Sequence, residues 1–442
     1  MILNLIVRLV VALSSIGVVL ALSACEGSAS PGTTTENAAT VEAPTPPPGP
    51  VLTPTAAPPL STPGPLNLVV WMSDEFPLAP GPGGGDVLTA AVASFQAAFP
   101  DMHVMLTPKK AYGKGGLVDL LSATQDALPS AVPDVVTLDL RDVPQLARDN
   151  RLQPFDARFA PATLNDLFPF ARGAGLVEGS LYAIPFTADA LQVAYDNTLL
   201  RTPPLTWTDL QTTTVRYAFA AGGDNGQISD SFLTQYVALG GKFSDASGKP
   251  NLDRTPLRNA LDFYRTGISA GFILTNVLSL KTPDDAWRQL TSGKATLVDT
   301  STRTFLRERG SARYAGFGTL PTRDGNLATI VRSWGFTVVT KDTARRAAAE
   351  RFVEWMLSAE NNALWNRAGN RLPIRRGAVN LWSADASYRE FATALLNAAV
   401  NRPPASGNNA LDMALVGAIG DVLANNVSPS DAADKAIASL SR

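Results

Sequence analysis

The side chains that most often carry enzyme chemistry are scarce in this chain of 442 residues. His103 is the only histidine and lies in a strand-like "MHVML" run, so a histidine-dependent triad or a multi-histidine metal site lacks its groups. Paired carboxylates occur and could in principle act as the acid and nucleophile of a glycosidase. The glycine loops "GPGGGD" and "YGKGG" lack the G-x-x-x-x-G-K-S/T spacing that cradles phosphates. We therefore predict no catalytic residue, no metal site and no cofactor.

Hydrogen-bonding side chains instead follow the apolar runs that are typical of strands. Clefts in open α/β sheets take their residues from the carboxyl ends of strands and the loops that follow. This rule selects a polar and aromatic set, which consists of Ser73, Asp74, Glu75, Asp139, Arg141, Asp142, Asp189, Thr300, Ser301, Arg303, Arg332 and Trp334. Carboxylates and guanidinium groups offer acceptors and donors to a polar ligand. We expect the ligand-binding residues to be Asp74, Asp139, Asp142, Asp189, Thr300, Arg303, Trp334 and, from "NRLPIRR", Arg371.

Each of these residues also has a structural interpretation. Asp74 and Asp142 could cap helices, a use at least as common as ligand contact. Trp334 precedes an apolar run and could belong to the core. The arginines around Arg303, in "TRTFLRERGSARYAG", and Arg371 could be solvated surface groups, although one that faced a cleft would suit an anionic ligand.

The elements that must position these side chains alternate between strands and helices. Residues 66–72 form an apolar strand-like run, and Val87 to Phe99 has helical spacing that ends before Pro100. The rhythm continues to a second region, with strands predicted at 191–195, 295–298 and 334–339 and helices at 284–291 and 344–357. Such alternation favours a mostly parallel sheet with helices on both faces.

The length of the chain bears on the number of lobes, and its net charge bears on the class of partner. A chain of 442 residues exceeds the size at which a single core keeps growing, so two α/β lobes are expected. The net charge of -2 gives no electrostatic reason to expect nucleic acid or an anionic membrane surface as the main partner.

The first residues have the layout of an export signal, with Arg8 ahead of an apolar run at 9–22. The segment Leu22-Ser23-Ala24-Cys25 resembles the bacterial lipobox, which implies that residues 1–24 are removed and that Cys25 is acylated. Cys25 is the only cysteine, so it has no intramolecular disulfide partner. The alternative is an ordinary signal peptide with an incidental thiol. Residues 25–65 are rich in proline and threonine and are predicted to form a disordered tether.

Several segments, in order along residues 66–442, resemble the extracellular solute-binding protein family 1, which includes maltose- and multiple-sugar-binding proteins. They include "VPDVVTLDLRDVPQLARDNRLQPF", "GSLYAIPFTADALQVAYDNTLL", "AWRQLTSGKATLV" and "AAAERFVEWMLSAENNALWNRAGNRLPIRR". The resemblance implies a two-lobed periplasmic-binding-protein type II fold with a hinge and an interlobe cleft. Lobe one would contain residues 66–187 and 300–340, and lobe two 188–299 and 341–442. Crossings near 186–187, 299 and 340 would act as hinges.

The resemblance also implies the function. We expect a monomeric lipoprotein on the extracytoplasmic face of the cell membrane, which delivers a small hydrophilic solute, a carbohydrate, to the permease subunits of an ABC importer. Asp189 matches an acidic ligand contact of maltose-binding relatives, and Trp334 matches an aromatic residue of the family's cleft. Two alternatives stay open at this point: a different cargo, such as glycerol phosphate, a polyamine or ferric iron, and a sensory or adhesive lipoprotein.

Overall fold

The computed structural model describes residues 65–440 except 82, 157–158, 213–214, 225, 246–247, 384 and 406–408. Cys25 and the predicted signal and tether lie outside the described residues. The strands are short apart from two long ones, and they are β1 (Leu66–Ser73), β2 (Met102–Lys109), β3 (Val135–Asp139), β4 (Leu176–Val177), β5 (Ser180–Leu181), β6 (Ala183–Asp196), β7 (Tyr217–Ala218), β8 (Leu297–Ser301), β9 (Ala315–Gly318), β10 (Thr329–Val338) and β11 (Ala399–Asn401).

Helices fill most of the connections between these strands. They are α1 (Gly85–Ala98), α2 (Leu117–Ala127), α3 (Val143–Arg148), α4 (Pro161–Asn165), α5 (Pro169–Ala174), α6 (Trp207–Thr212), α7 (Asp230–Ala238), α8 (Arg254–Ser269), α9 (Pro283–Thr291), α10 (Thr302–Glu308), α11 (Thr343–Met356), α12 (Ala359–Ala368), α13 (Arg376–Trp382), α14 (Ala386–Ala398), α15 (Ala410–Leu423) and α16 (Pro429–Leu440). Among the described residues, no helix combines the length and apolar character that crossing a membrane requires.

Local sequence signals set several helix ends. Thr282 and Asp285 form a reciprocal capping box at the start of α9, and the Asp342 carboxylate accepts a hydrogen bond from the backbone N–H of Arg345 in α11. The predicted helices at 284–291 and 344–357 therefore agree with α9 and α11 to within one residue at each end.

One mixed sheet joins most of the described strands in the order β2-β1-β3-β10-β6-β8-β7. β1 runs parallel to β2 and β3, and β7 runs parallel to β8. The central contacts are antiparallel, because β10 runs against β3 and β6, and β6 runs against β8 and β9. The expectation of a mostly parallel sheet is therefore wrong at its centre.

The two long central strands connect the sheet's two outer groups, which we call the first strand group (β1 to β3) and the second strand group (β7 to β9). The first part of β6, through Ala190, pairs with β10, and its last part, from Leu191, pairs with β8. The register of β10 shifts between Trp334 and Gly335. A Cβ at Gly335 would lie 2.6 Å from a methyl group of Leu140, so a larger residue there would require the Leu140 side chain to move.

The last helices divide their contacts between the two strand groups. Residues 341–442 were expected to join the second region as one block. However, Phe352 of α11 meets Phe95 of α1 edge to face at 5.4 Å, and the indole N–H of Trp355 donates to the carbonyl of Ala91 at 3.0 Å. α11 and α12 thus pack with the first strand group, whereas residues of α15 and α16 share a core with Tyr217 and Phe232.

Candidate ligand-binding site

A carboxylate and two guanidinium groups meet beside the crossing strands. Glu75, in the loop after β1, lies 2.7 Å from Arg303 of α10 and 3.1 Å from Arg371, measured between side-chain oxygen and nitrogen. The Arg371 guanidinium also lies over the Phe76 ring, 4.6 Å from its centroid. Burial opposes the charge of Glu75, but the two arginines outweigh it and lower the pKa of the carboxyl. Glu75 is therefore an anion at neutral pH.

Asp189 lies near this cluster but is engaged by the start of α10. Its carboxylate oxygen accepts hydrogen bonds from the Thr302 hydroxyl and from the backbone N–H of Arg303, both at 2.9 Å. A carboxylate at a helix N-terminus is stabilised by the unpaired N–H groups there. In this structure Asp189 positions α10, and with it Arg303, at the seam between the two strand groups.

A second cluster surrounds Asp139 at the end of β3. The Tyr112 hydroxyl donates to the Asp139 carboxylate at 2.9 Å, and the Tyr112 ring centroid lies 5.6 Å from that of Trp334. Partial removal from water, together with the charge of Asp139, raises the pKa of Tyr112, so its hydroxyl stays a hydrogen-bond donor. Burial and the same Asp139 charge raise the pKa of Asp142 to about 7.

A chain of ion pairs closes one side of the site. Arg141 after β3 donates to Asp412 of α15 at 2.6 Å, and the other Asp412 oxygen accepts from Arg402 at 2.8 Å. Arg402 also pairs with Asp230 at the start of α7, which in turn binds Arg332 of β10 at 2.6 Å. Burial opposes the charge of Asp230, yet both arginines lower the pKa of this carboxyl.

The structure brings most of the predicted residues to this seam. Asp139, Asp142 and Arg371 lie in the two clusters or directly beside them, and so do Asp189 and Arg303. Asp74 is exposed at its edge and accepts a hydrogen bond from the backbone N–H of Ala111 at 2.9 Å. Neither Asp74 nor Asp142 makes the side-chain cap bond that the structural alternative required.

Two predicted residues are placed differently. Thr300 lies within β8, is completely buried and pairs with Gln192 of β6, so it cannot contact a ligand in this arrangement. Trp334 is only 5% exposed because Phe76 and Tyr112 pack against it. The aromatic ring that a ligand could reach here is Tyr112, which is 44% exposed.

The sequence prediction missed Tyr112, Asp230, Arg402 and Asp412. Tyr112 follows β2 and obeys the same strand-end rule that selected the residues after β1 and β3. The other three have no local signal, because helix starts and a loop bring them together from distant parts of the chain. Two surface cavities of about 650 and 350 Å³ lie elsewhere and include none of the predicted site residues. Among the described residues, no group of three or more histidine, cysteine or acidic side chains could hold a metal ion.

Residues 90–391 match the family model described as "Bacterial extracellular solute-binding protein", which covers more than half of the chain. The chain belongs to this family. It is therefore an extracytoplasmic solute-binding protein and not an enzyme. This confirms the family and the non-enzymatic role expected from the sequence.

Two relatives are similar in sequence to part of this solute-binding protein. A maltotriose-binding protein of Pyrococcus abyssi is 24% identical over 204 residues, which are 45% of this chain and 42% of the relative. A mannitol-binding protein of Pseudomonas aeruginosa is 26% identical over 255 residues, which are 51% of this chain and 56% of the relative. The chain thus spans about half the length of these relatives.

Solved structures match nearly the whole described part of the solute-binding protein. The cyclic alpha-maltosyl-1,6-maltose binding protein from Arthrobacter globiformis superposes with a TM-score of 0.71 at 20% identity, over 85% of this chain and 98% of that one. The sugar-binding protein MalE from Xanthomonas citri gives a TM-score of 0.71 at 19% identity, over 85% and 97%. These similarities confirm the predicted two-lobed α/β fold of periplasmic-binding-protein type II.

Proposed function

We propose that this solute-binding protein captures a carbohydrate at the seam between its two lobes and delivers it to the permease subunits of an ABC importer. The observation that carries the proposal is the convergence of Tyr112, Asp139 and Arg303 on one seam. Carboxylates and guanidinium groups suit sugar hydroxyls, and the exposed Tyr112 ring suits the apolar side of a sugar ring. The binding activities named for the two relatives support the same class of ligand.

The charge balance of the seam favours an uncharged ligand over a sugar phosphate or a polyamine. Arg303 and Arg371 share Glu75, Arg332 is paired with Asp230, and Arg141 is paired with Asp412. An added phosphate or polyamine would have to compete with these partners and would leave charges without a counterion.

We further propose the division into lobes. Lobe one would contain the first strand group with α11 and α12, and lobe two the second strand group with α7, α8, α15 and α16. β6 and β10 would supply the crossings, near the predicted hinge at 186–187. Ligand that contacts both lobes would favour the closed arrangement, because only there do both walls touch it.

We also propose that Cys25 carries the lipid that ties the protein to the membrane. The support is the sequence alone: an apolar run, small residues at 23–24 and a sole cysteine. Stable anchoring requires more than one acyl chain, and an acylated N-terminal cysteine would supply it.

A thermal-shift screen tests the ligand class. We would measure the unfolding temperature of the full chain with maltose, maltotriose, mannitol, monosaccharides, glycerol 3-phosphate and spermidine. A ligand at a hundredfold excess over its dissociation constant adds about 2.7 kcal/mol to the native state. We expect shifts with one or more of the uncharged sugars and polyols. Shifts confined to the phosphate or the amine would refute carbohydrate binding.

A further inference from the structure

The charged side chains at the seam already have partners within the chain. Glu75 pairs with Arg303 and Arg371, Asp230 pairs with Arg332, and Asp412 pairs with Arg141. A ligand that uses a charged group for hydrogen bonding must therefore replace one of these internal pairs. The structure shows which pair gives way most easily.

The ion pairs differ in how far their side chains are exposed to solvent. The side chains of Arg141 and Asp412 are 8% and 3% exposed, so breaking their pair would leave uncompensated buried charges. The side chains of Arg303 and Glu75 are 36% and 32% exposed, so water can solvate both when they separate. Arg332 is 41% exposed, but its partner Asp230 is only 14% exposed. Of these three pairs, only Glu75–Arg303 has both side chains about one-third exposed, so it costs least to separate.

Glu75 also keeps a partner when Arg303 leaves. Arg371 is only 7% exposed, contacts Glu75 at 3.1 Å and is fixed over the Phe76 ring. The Glu75–Arg303 pair, in contrast, links the loop after β1 to the helix after β8, and so connects the two strand groups across β6 and β10.

We propose that Glu75 is an internal competitor of the ligand: in the ligand-free protein it holds Arg303 across the seam, and the ligand binds by taking Arg303 over. This inference rests on the proposed carbohydrate function. It gives Glu75 a role opposite to that of a ligand contact, since Glu75 would oppose binding and favour a closed, empty state. Ligands must then offer hydrogen-bond acceptors to the Arg303 guanidinium, and sugar hydroxyl oxygens are such acceptors.

Calorimetric titration of the full chain with maltose, maltotriose and mannitol tests the competition. Glu75→Gln keeps the size of the side chain and removes its charge. The variant should bind the sugar that binds the natural chain about two- to fivefold more tightly. This factor corresponds to the free energy that a partly exposed ion pair contributes. Raising the salt concentration from about 0.05 to about 0.5 M should tighten binding to the natural chain, because salt screens the competing pair, and should have little effect on the variant.

The matched control is Asp324→Asn. Asp324 pairs with Arg323 at 3.1 Å in an exposed turn away from the seam, and its loss should leave affinity and salt response unchanged. Binding by Glu75→Gln that is equal to or weaker than that of the natural chain would overturn the proposal, since Glu75 would then be neutral or a ligand contact.

A ligand-free measurement separates this proposal from the proposed function. Spin labels at Ala123→Cys on α2 and Thr266→Cys on α8, both exposed positions, report the separation of the two strand groups in a Cys25→Ser background. Glu75→Gln should lengthen the mean distance and broaden its distribution. An unchanged distribution would refute the pair as a latch even if none of the sugars bound, whereas absence of sugar binding alone would contradict only the carbohydrate assignment.

Discussion

Tyr112 is the residue on which carbohydrate recognition depends most in this account. Its ring is the exposed aromatic face at the seam, and its hydroxyl holds Asp139 at 2.9 Å. Trp334 packs against the Tyr112 ring and is nearly buried. We therefore expect it to position Tyr112 and not to contact the ligand itself. The sequence prediction chose Trp334 because it matches an aromatic residue of the family's cleft. Which of two neighbouring rings lies nearer the solvent cannot be read from the local sequence.

Substitution of Tyr112 separates the contributions of its ring and its hydroxyl. Tyr112→Ala should weaken sugar binding about three- to tenfold, the usual weight of one aromatic contact, while Tyr112→Phe should lose less because it keeps the ring. Isothermal titration calorimetry with the sugar found by the thermal screen measures both. If the alanine variant bound as tightly as the natural chain, Tyr112 would not be a ligand contact.

Asp299 is a buried carboxyl whose charge the fold tolerates poorly. It accepts a hydrogen bond from the Tyr217 hydroxyl at 2.6 Å, and burial raises its pKa to about 7. An unfolded aspartate titrates near 4, so the folded chain binds the extra proton between about pH 4 and pH 7. The stability that this proton provides is present at low pH and is lost as the pH rises through about 7.

Asp299→Asn should remove this pH dependence. Denaturant unfolding of the natural chain should give a free energy of unfolding that falls between about pH 4 and pH 7 by up to a few kcal/mol from this group. The variant should show a flatter profile over the same interval. Asp262→Asn, at an exposed position of α8, is the control and should leave the profile unchanged. An unaltered slope in Asp299→Asn would contradict the assignment.

At the scale of elements, local patterns predicted helices better than strands. α9 and α11 were placed to within a residue, because caps and apolar spacing mark their ends. β8 was predicted to end at Val298 but continues to Ser301, and β10 was predicted to start at Trp334 but begins at Thr329. Polar residues such as Thr300 and Arg332 interrupt both runs, and they lie in strands because neighbouring strands satisfy their backbone groups. This error moved Thr300 from the core into the predicted cleft.

The packing partner of α11 could not be predicted from its own sequence. Arg345 reaches back to Asp134, with guanidinium–carboxylate distances of 2.7 and 2.6 Å, and Asp134 also accepts from the backbone N–H of Val69. These contacts span about two hundred residues of chain, and an apolar helix face is compatible with either lobe. The assignment of residues 341–442 to one lobe rested on the family resemblance alone.

Phe352 tests the attachment of α11 to the first strand group. This side chain is fully buried against Phe95 and Phe336, so Phe352→Ala should lower the free energy of unfolding by about 3–5 kcal/mol. Leu364→Ala on α12, where the side chain is 51% exposed, is the control and should change it by less than about 0.5 kcal/mol. Equal, small effects in denaturant titrations would contradict the packing.

At the scale of the whole molecule, the sequence predicted two lobes, and the confirmed fold has them joined by two long strands. β6 and β10 carry the chain across the seam without a break in pairing, apart from the register shift at 334–335. Bending of this strand pair is a simple way for the two lobes to approach a ligand. The proposed ligand-binding seam and the proposed hinge are thus parts of the same strands, since Asp189 lies on β6 and Arg332 on β10.

The lipid anchor is tested on the whole chain in a bacterial host. Cys25→Ser should move the protein from the membrane fraction to the soluble fraction after export, and mass spectrometry should show the loss of acyl chains. Ser28→Ala, three residues further on, is the control and should stay with the membrane. If Cys25→Ser remained membrane-bound, the apolar run would be acting as the anchor and residues 1–24 would not be cleaved.

The most direct measurement is a crystal structure of the protein with the sugar that gives the largest thermal shift. We expect the sugar to lie at the seam, with one face on Tyr112 and hydroxyl groups within hydrogen-bond distance of Arg303, so that both lobes contact it. We also expect the Glu75–Arg303 distance to exceed the 2.7 Å of the present structure. A sugar that is bound by one lobe alone, or one that lies away from Tyr112 and Arg303, would refute ligand capture at this seam.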